Sequence, residues 1–373
     1  MQQIVLENRN PYDAFKVFFL ERKIKRPLFV HGNSFLQTDL YKIIRQLHTE
    51  EIIHLAEFSA FSPNPSYEEV KAGVSVYRNG YCDGIIAAGG GSCMDVAKCI
   101  KLFANLEEGS DYLKQEWNPD MIPILAIPTT SGSGSEATRY AVIYREGEKQ
   151  SVTSESCIPD AVYFDAGLLL TLPTYQKKAT MLDALCHSME SYWSVNSTQE
   201  SMDYSREAIC LILENYKKYF EGDMAANEKM MHAANLAGRA INITQTTAGH
   251  ALCYQLTKRY GYAHGHAAAL CDVWLWQYMY SHKCPCRDRR GFQYLTKIFL
   301  ELAELWGCET IPEGIEAFRT FVEKLSLSHD IPEEDIPALV GTVNRDRLGN
   351  HPVVLDEADI RSIYLAVSTW KEQ

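Results

Sequence analysis

Several things are scarce in this 373-residue chain, and each scarcity excludes something. No apolar run reaches the about 20 residues that a membrane-spanning helix needs, so no membrane partner is expected. The N-terminal stretch Met1-Gln2-Gln3-Ile4-Val5-Leu6-Glu7 lacks the charged-then-apolar layout of an export signal. Positive charge is in deficit: 36 Lys and Arg stand against 48 Asp and Glu, a net charge of −12. Nucleic-acid binding rests on neutralising phosphates, so a nucleic-acid partner is not expected either. A local basic pocket for one small anion stays open. The eleven cysteines are scattered and odd in number, which fits reduced, mostly buried thiols and a cytoplasmic protein.

What is present is ordinary for a soluble enzyme-sized chain: 46% apolar and 23% charged residues. The length exceeds one hydrophobic core and predicts two domains. The first part alternates short apolar runs with helical segments. Strands are expected at Pro27–Val30, Ile52–Leu55, Asp83–Ala88 and Ile122–Pro128, with further ones at Tyr140–Tyr144 and Ala161–Phe164. Helices are expected at Ser66–Tyr77 and Cys93–Phe103. That alternation reads as an α/β domain with a parallel sheet covered by helices. Beyond Leu172-Pro173 strand signals fade. Ile209, Leu213 and Tyr216 keep helical spacing, as do Leu295, Ile298, Phe299, Leu302 and Leu305-Trp306. The boundary is therefore set at residue 172: an α/β domain over 1–172 and an all-helical domain over 173–373.

Two loops follow expected strands. Gly89-Gly90-Gly91-Ser92 joins a strand to a helix, where a backbone without Cβ atoms can approach a pyrophosphate and the helix start favours an anion. It is not the G-x-G-x-x-G dinucleotide fingerprint, and a plain strand-to-helix turn is the alternative. Asp95 and Lys98, on the helix after it, read by themselves as a solvated face. Pro128-Thr129-Thr130-Ser131-Gly132-Ser133-Gly134-Ser135-Glu136 is rich in hydroxyls and glycine. Ligands of open parallel sheets gather at strand carboxyl ends, so both loops can line one crevice. A flexible surface loop is the alternative for the second.

Asp183 and His187 lie four apart, on one face of a helix if a helix forms there. His250 opens a further expected helix, and His264 falls in the turn Ala263-His264-Gly265-His266. Three imidazoles and a carboxylate suit Fe(II) or Zn(II), and an ion with a spare position can polarise a carbonyl. Each histidine alone is as well explained as a hydrogen-bonded core residue. His282-Lys283-Cys284-Pro285-Cys286 lacks usual zinc spacing and reads as a loop.

In combination these motifs resemble the iron-containing (group III) alcohol dehydrogenase family. The resemblance is carried by Gly89 to Lys98, Pro128 to Glu136, Asp183-Ala184-Leu185-x-His187-x-x-Glu190, and His250 with His264-Gly265; Pro63-Asn64-Pro65 is similar to an early family motif. The resemblance implies a dinucleotide-binding first domain, a helical metal- and substrate-binding second domain, and NAD(P)H in the cleft. It places the pyrophosphate on Gly89, Gly90, Gly91 and Ser92, with Asp95 on the following helix. Asn64, Thr129, Thr130 and Ser133 then line the adenosine and ribose side, and Lys149 the nicotinamide ribose. It makes Asp183, His187, His250 and His264 the ligands of Fe(II), or of Zn(II) or another divalent ion. It further implies a homodimer or larger homo-oligomer.

Gly238 to Thr247, His250 to Tyr254 and Val343 to Pro352 are similar to the phosphonoacetaldehyde reductase subgroup. Reduction of phosphonoacetaldehyde to 2-hydroxyethylphosphonate is thereby implied, with Arg239 as the first candidate to grip the phosphonate and Asn242, Thr244, Thr246 and Thr247 to assist. Arg139 and Lys258 are weaker choices. The alternatives are a family dehydrogenase acting on uncharged alcohols, diols or lactaldehyde, a dehydroquinate synthase-like lyase, and a non-catalytic metal-binding protein. Two departures matter. Tyr254 stands where many members have a proton-relaying histidine, so either its phenol or water supplies the proton, or it only packs in the pocket. Gly32 stands where an aspartate often contacts the adenosine ribose, so NADPH should be tolerated or preferred.

Overall fold

The computed structural model describes residues 3–6, 10–117, 122–281 and 284–370. Contacts divide the chain into two compact units. One is Met1–Thr130 with Gly134–Thr171; the other is Ser131–Ser133 with Leu172–Gln373.

The described residues of the first unit hold strands β1 (Ile4–Val5), β2 (Pro27–His31), β3 (Ala56–Phe58), β4 (Gly84–Gly89), β5 (Ile124–Pro128), β6 (Tyr140–Arg145), β7 (Glu148–Thr153) and β8 (Ala161–Val162). Six of them form one wholly parallel sheet in the order β1-β8-β5-β4-β2-β3. Strands β2, β4 and β5 are buried at every position, which is why their sequences run continuously apolar. Alternate residues serve two cores. Phe29, Ile86, Leu125 and Ile127 meet helices α1 (Pro11–Glu21) and α2 (Asp39–Thr49). Leu28, Val30, Ile85, Ala87 and Ala126 meet α3 (Tyr67–Asn79) and α4 (Gly91–Phe103).

The winding reverses at β2. From β2 the chain passes through α2 to β3 at one edge, then returns to place β4 on the other side of β2. The loops leaving β2 and β4 therefore depart to opposite faces, and the carboxyl ends of these two strands flank a topological switch point. Gly32 lies there, its N–H donating to the Ala88 carbonyl at 3.3 Å. The glycine run opens α4 two residues earlier than the sequence pattern suggests, with Gly90 at the N-cap.

One strand expectation is corrected. Ile52–Leu55 is not a strand; the strand is β3, just beyond it. Helix α2 ends with Glu51 in the left-handed region (φ 58°), and Ile52 N–H bonds back to the Leu47 carbonyl at 3.0 Å. This is a Schellman ending, in which the residue after the left-handed one is apolar because it packs on the helix rather than in a sheet. The Tyr140 segment is a strand, as expected, but lies outside the parallel sheet. It pairs antiparallel with β7 across Glu146 (φ 52°) and Gly147 (φ 80°), the two-residue turn favoured by strand twist.

The second unit carries helices α5 (Thr174–Trp193), α6 (Gln199–Glu221), α7 (Met224–Thr244), α8 (Ala248–Tyr260), α9 (His264–Ser281), α10 (Gly291–Leu305), α11 (Ile311–Lys324), α12 (Ile336–Gly341) and α13 (Glu357–Thr369). Helix α5 is buried almost all round from Met181 to Trp193 and packs against α6, α7, α9 and α10. Capping boxes at Thr198/Ser201, Thr310/Glu313 and Asp356/Asp359 fix three helix starts. No helix among the described residues is long and apolar enough to cross a membrane.

Candidate functional site

In the first unit the loop residues singled out from sequence cluster at strand carboxyl ends. Gly89 ends β4 beside Pro128 of β5, and Thr129 N–H donates to the Gly89 carbonyl at 3.1 Å. Thr130 lies against Gly90. Ser92, in the first turn of α4 with Gly91, accepts the Asn64 N–H on its hydroxyl at 3.3 Å; Asn64 itself is left-handed (φ 58°). The start of α4 has no side-chain cap, as a helix end reserved for an anion should.

Asp95 and Lys98 are not a solvated face. Lys98 is fully buried and its ammonium donates to Ser135 O, Ser135 Oγ, Thr138 Oγ1 and Tyr140 O at 2.6–3.1 Å. Asp95 accepts the Ser135 hydroxyl at 3.1 Å. Burial pushes its carboxyl up to about 6, against the pull of the Lys98 and Lys149 cations. Lys149 sits on β7 opposite Tyr144. Ser133 belongs to the second unit with Ser131 and Gly132; there Ser131 Oγ and the Tyr219 hydroxyl are 3.0 Å apart, and Gly132 lies against Thr180 of α5.

The second unit brings together Asp183 and His187 on α5 with His250 on α8. Each offers a ligand atom within 4.8 Å of the other two, and all three are buried; no other such group occurs among the described residues. The His187 and His250 rings stack at 4.4 Å, and His264 stands edge-on to His250 at 5.0 Å. His264 opens α9 rather than lying in the preceding turn, and His250 is the third residue of α8, not the first. Gly265 explains how α9 comes so near α5: a Cβ there would run into the Ala179 carbonyl and reach 2.5 Å from the Asp183 Cβ.

The donor atoms pass the test that a metal would set. Asp183 Oδ1, His187 Nδ1 and His250 Nε2 are buried and make no hydrogen bond, Asp183 Oδ1 and His250 Nε2 facing each other at 3.4 Å; leaving such atoms without a close partner is costly unless a ligand meets them. Behind them, His250 Nδ1–H faces the Glu190 carboxylate, which leaves the Nε2 lone pair for an ion. Glu190 is itself fixed by the Thr247 N–H, by the Thr247 hydroxyl at 2.7 Å and by the His250 N–H at 3.1 Å. Burial disfavours the charged Asp183 carboxylate, but His187, His250 and His264 hold it well below the usual range. Burial lowers His187 to about 4, keeping it neutral. Two imidazoles, one of them carboxylate-backed, and one carboxylate, with the His264 ring beside His250, fit a borderline divalent ion.

The remaining candidates fall as follows. Tyr254, four residues after His250, lies 5.0 Å ring to ring from His264. Arg239 on α7 turns its guanidinium over Tyr204 of α6 at 5.9 Å. Thr244 and Thr247 serve the scaffold: Thr244 bonds the Ser191 hydroxyl and Thr247 accepts from the Trp193 indole, both at 3.0 Å. Arg139 pairs with Glu155. Of the Cys-Pro-Cys segment, His282 and Lys283 lie outside the described residues, and Cys286 bonds backbone carbonyls of Asp288 and Pro352. Sequence reasoning missed Asp272, buried beside Glu190 and pushed well up by burial and by that neighbour. The signal was available: it is the one acid in the otherwise apolar stretch of α9.

Two family models match in tandem: iron-containing alcohol dehydrogenase over residues 5–166, and the C-terminal domain of the Fe-containing alcohol dehydrogenase family over 177–368. An aldehyde-alcohol dehydrogenase 2 of Entamoeba histolytica is 32% identical over 292 residues, 73% of this chain and 34% of that protein, so the match spans about a third of its length. A phosphonoacetaldehyde reductase of Streptomyces viridochromogenes is 34% identical over 245 residues, 60% of each chain. The crystal structure of a 1,3-propanediol oxidoreductase superposes with a TM-score of 0.86 at 25% identity, covering 98% of this chain and 97% of that one. The chain belongs to the iron-containing alcohol dehydrogenase family, whose parallel-sheet and helical halves its two units reproduce.

Proposed function

We propose that this protein is a metal-dependent, NAD(P)H-linked alcohol dehydrogenase working as an aldehyde reductase, with phosphonoacetaldehyde as its substrate. The observation that carries the reading is the buried Asp183–His187–His250 group, whose three facing donor atoms make no hydrogen bond. Residues 1–172 would serve the dinucleotide and residues 173–373 the metal and substrate. When bound, a divalent ion supplies Lewis-acid polarisation of a carbonyl and the dinucleotide supplies hydride.

The chain's own residues do the rest. Asp183, His187, His250 and His264 would hold the ion, and Glu190 orients His250 for it. The α4 start and the loops at Asn64, Thr129, Thr130 and Ser133 would seat the dinucleotide. Lys149 would serve the nicotinamide ribose. Gly32 leaves space where a carboxylate would repel a 2′-phosphate, which favours NADPH. Tyr254 is a protic side chain stacked beside His264 and would return a proton to the product oxygen. Eleven free thiols accord with a cytoplasmic enzyme, and a homodimer or larger assembly accords with the family resemblance.

The phosphonate substrate is supported by the 34% identity to a phosphonoacetaldehyde reductase. A second reading, reduction of an uncharged hydroxyaldehyde, is favoured by the likeness to a 1,3-propanediol oxidoreductase. The deciding experiment loads the protein with Fe(II) and separately with Zn(II). It then compares kcat/KM for phosphonoacetaldehyde, 3-hydroxypropanal and propanal with NADH and NADPH. Equal values for the charged and uncharged aldehydes would remove the phosphonate assignment.

A further inference from the structure

A short turn from Arg345 to Asn350 follows α12 and packs on α8, the helix that carries His250. It is anchored on both sides. Val343 and Leu348 are buried, and His351 is fully so. The Asn350 side-chain amide donates to Gln245 Oε1 at 2.8 Å and to the Thr246 carbonyl at 3.4 Å. Its oxygen accepts the Asn196 amide at 3.0 Å, and its backbone carbonyl accepts Val195 N–H at 3.1 Å. The turn is therefore a fixed part of the wall beside α8.

From this wall Arg347 lays its guanidinium over the Tyr254 ring, 4.9 Å from the centroid. Tyr254 packs on His264 at 5.0 Å, and His264 on His250 at 5.0 Å. His250 and Tyr254 are one turn apart on α8 and share a face. A single stack thus leads from the buried ligand group to a half-buried cation. A guanidinium carries five N–H donors, so one seated over an aromatic face can also grip two oxygens of one anion. Arg239, by contrast, is applied to Tyr204 on α6.

We infer that Arg347 is the specificity-determining residue of an oxyanion subsite next to the metal centre, taking the phosphonate of a short aldehyde whose carbonyl lies at the ligand group. The inference deepens the proposed function and rests on it for the identity of the aldehyde. The net charge of −12 makes a fixed arginine the natural means of holding a dianion near Asp183 and Glu190. Tyr254 acts as its platform.

The test uses the metal-loaded enzyme with NADPH and two independent probes. The first is methylphosphonate, scored as an inhibitor of propanal reduction. The second is the pair phosphonoacetaldehyde and propanal, scored by KM and kcat. Wild type should be inhibited by methylphosphonate, and Arg347→Ala should weaken that inhibition by about ten-fold or more, as loss of a charge-assisted pair does. The same variant should raise KM for phosphonoacetaldehyde out of proportion to any change for propanal, with Arg347→Lys in between. The inference is overturned if methylphosphonate does not inhibit wild type. Equal inhibition of wild type and Arg347→Ala overturns it too, as does a selective loss in Arg239→Ala alone. Inhibition that depends on Arg347, in an enzyme without preference for phosphonoacetaldehyde, would keep the subsite and remove only the substrate assignment.

Discussion

Gly249 sits directly on Asp272: a Cβ at that glycine would fall on the Asp272 carboxylate and stand 2.7 Å from Glu190 Oε1. The residue before His250 is therefore bare because two buried acids occupy the space behind it. Gly249→Ala should displace the acid pair, cost roughly 1–3 kcal/mol as small-to-large core changes do, and loosen the metal. Thermal unfolding followed with and without added Zn(II) checks both effects. A variant with wild-type melting and metal retention would show that the acids tolerate displacement.

Glu190 adjoins the proposed ligand group through His250. Glu190→Gln keeps the shape and should weaken metal affinity by roughly 10–100-fold, the usual effect of removing a ligand's carboxylate partner. Asp183→Asn, which alters a proposed ligand itself, should lose more. Competitive titration against a chromogenic chelator measures both. Equal affinities in wild type and Glu190→Gln would exclude the orienting role.

Gly32 has no atom within 4 Å of where a Cβ would stand, so an aspartate can be accommodated. Gly32→Asp should weaken NADPH by about ten-fold or more while sparing NADH, because a carboxylate repels the 2′-phosphate and can bond a 2′-hydroxyl. Dissociation constants for the two cofactors, from fluorescence titration, decide it. A parallel loss for both would place the adenosine ribose elsewhere.

His351 is fully buried with both ring nitrogens unpartnered, and burial lowers it to about 3 from 6.5. Its neutral ring must take up a proton on unfolding below about 6.5. The stability it allows is thus complete above that value and lost progressively as pH falls toward about 3, by roughly 1.4 kcal/mol per pH unit. Urea unfolding of wild type and His351→Asn at pH 7.5 and 5 isolates the effect. Wild type should lose about 2 kcal/mol relative to the variant at the lower pH. A constant difference would mean that the ring is charged in the fold.

Much of this is legible in the sequence. Strands β2, β4 and β5 announced themselves because burial on both faces demands unbroken apolar runs. Asp183 and His187 were paired by helical spacing alone. The errors came where one residue type serves two purposes. Ile52 and Ile53 look like a strand but close a helix end, an outcome set by Glu51 entering the left-handed region without a glycine to mark it. Asp95 and Lys98 look solvated because an i,i+3 charged pair usually is; their burial depends on Ser135, Thr138 and Tyr140, some forty residues away. Asp272 and Arg347 were passed over because their neighbours are set by α5, α8 and the turn after α12, which no local pattern encodes.

Ser131, Gly132 and Ser133 leave the first unit, join the helices, and return at Gly134. The chain consequently passes between the units at three points rather than one. A fragment ending near residue 172 would carry Ser131 without the Tyr219 hydroxyl and Gly132 without Thr180, while the helical fragment would lack the three-residue segment whose Gly132 lies against α5. Transplanting either half onto another member of the family must therefore carry three residues from the opposite side of the junction.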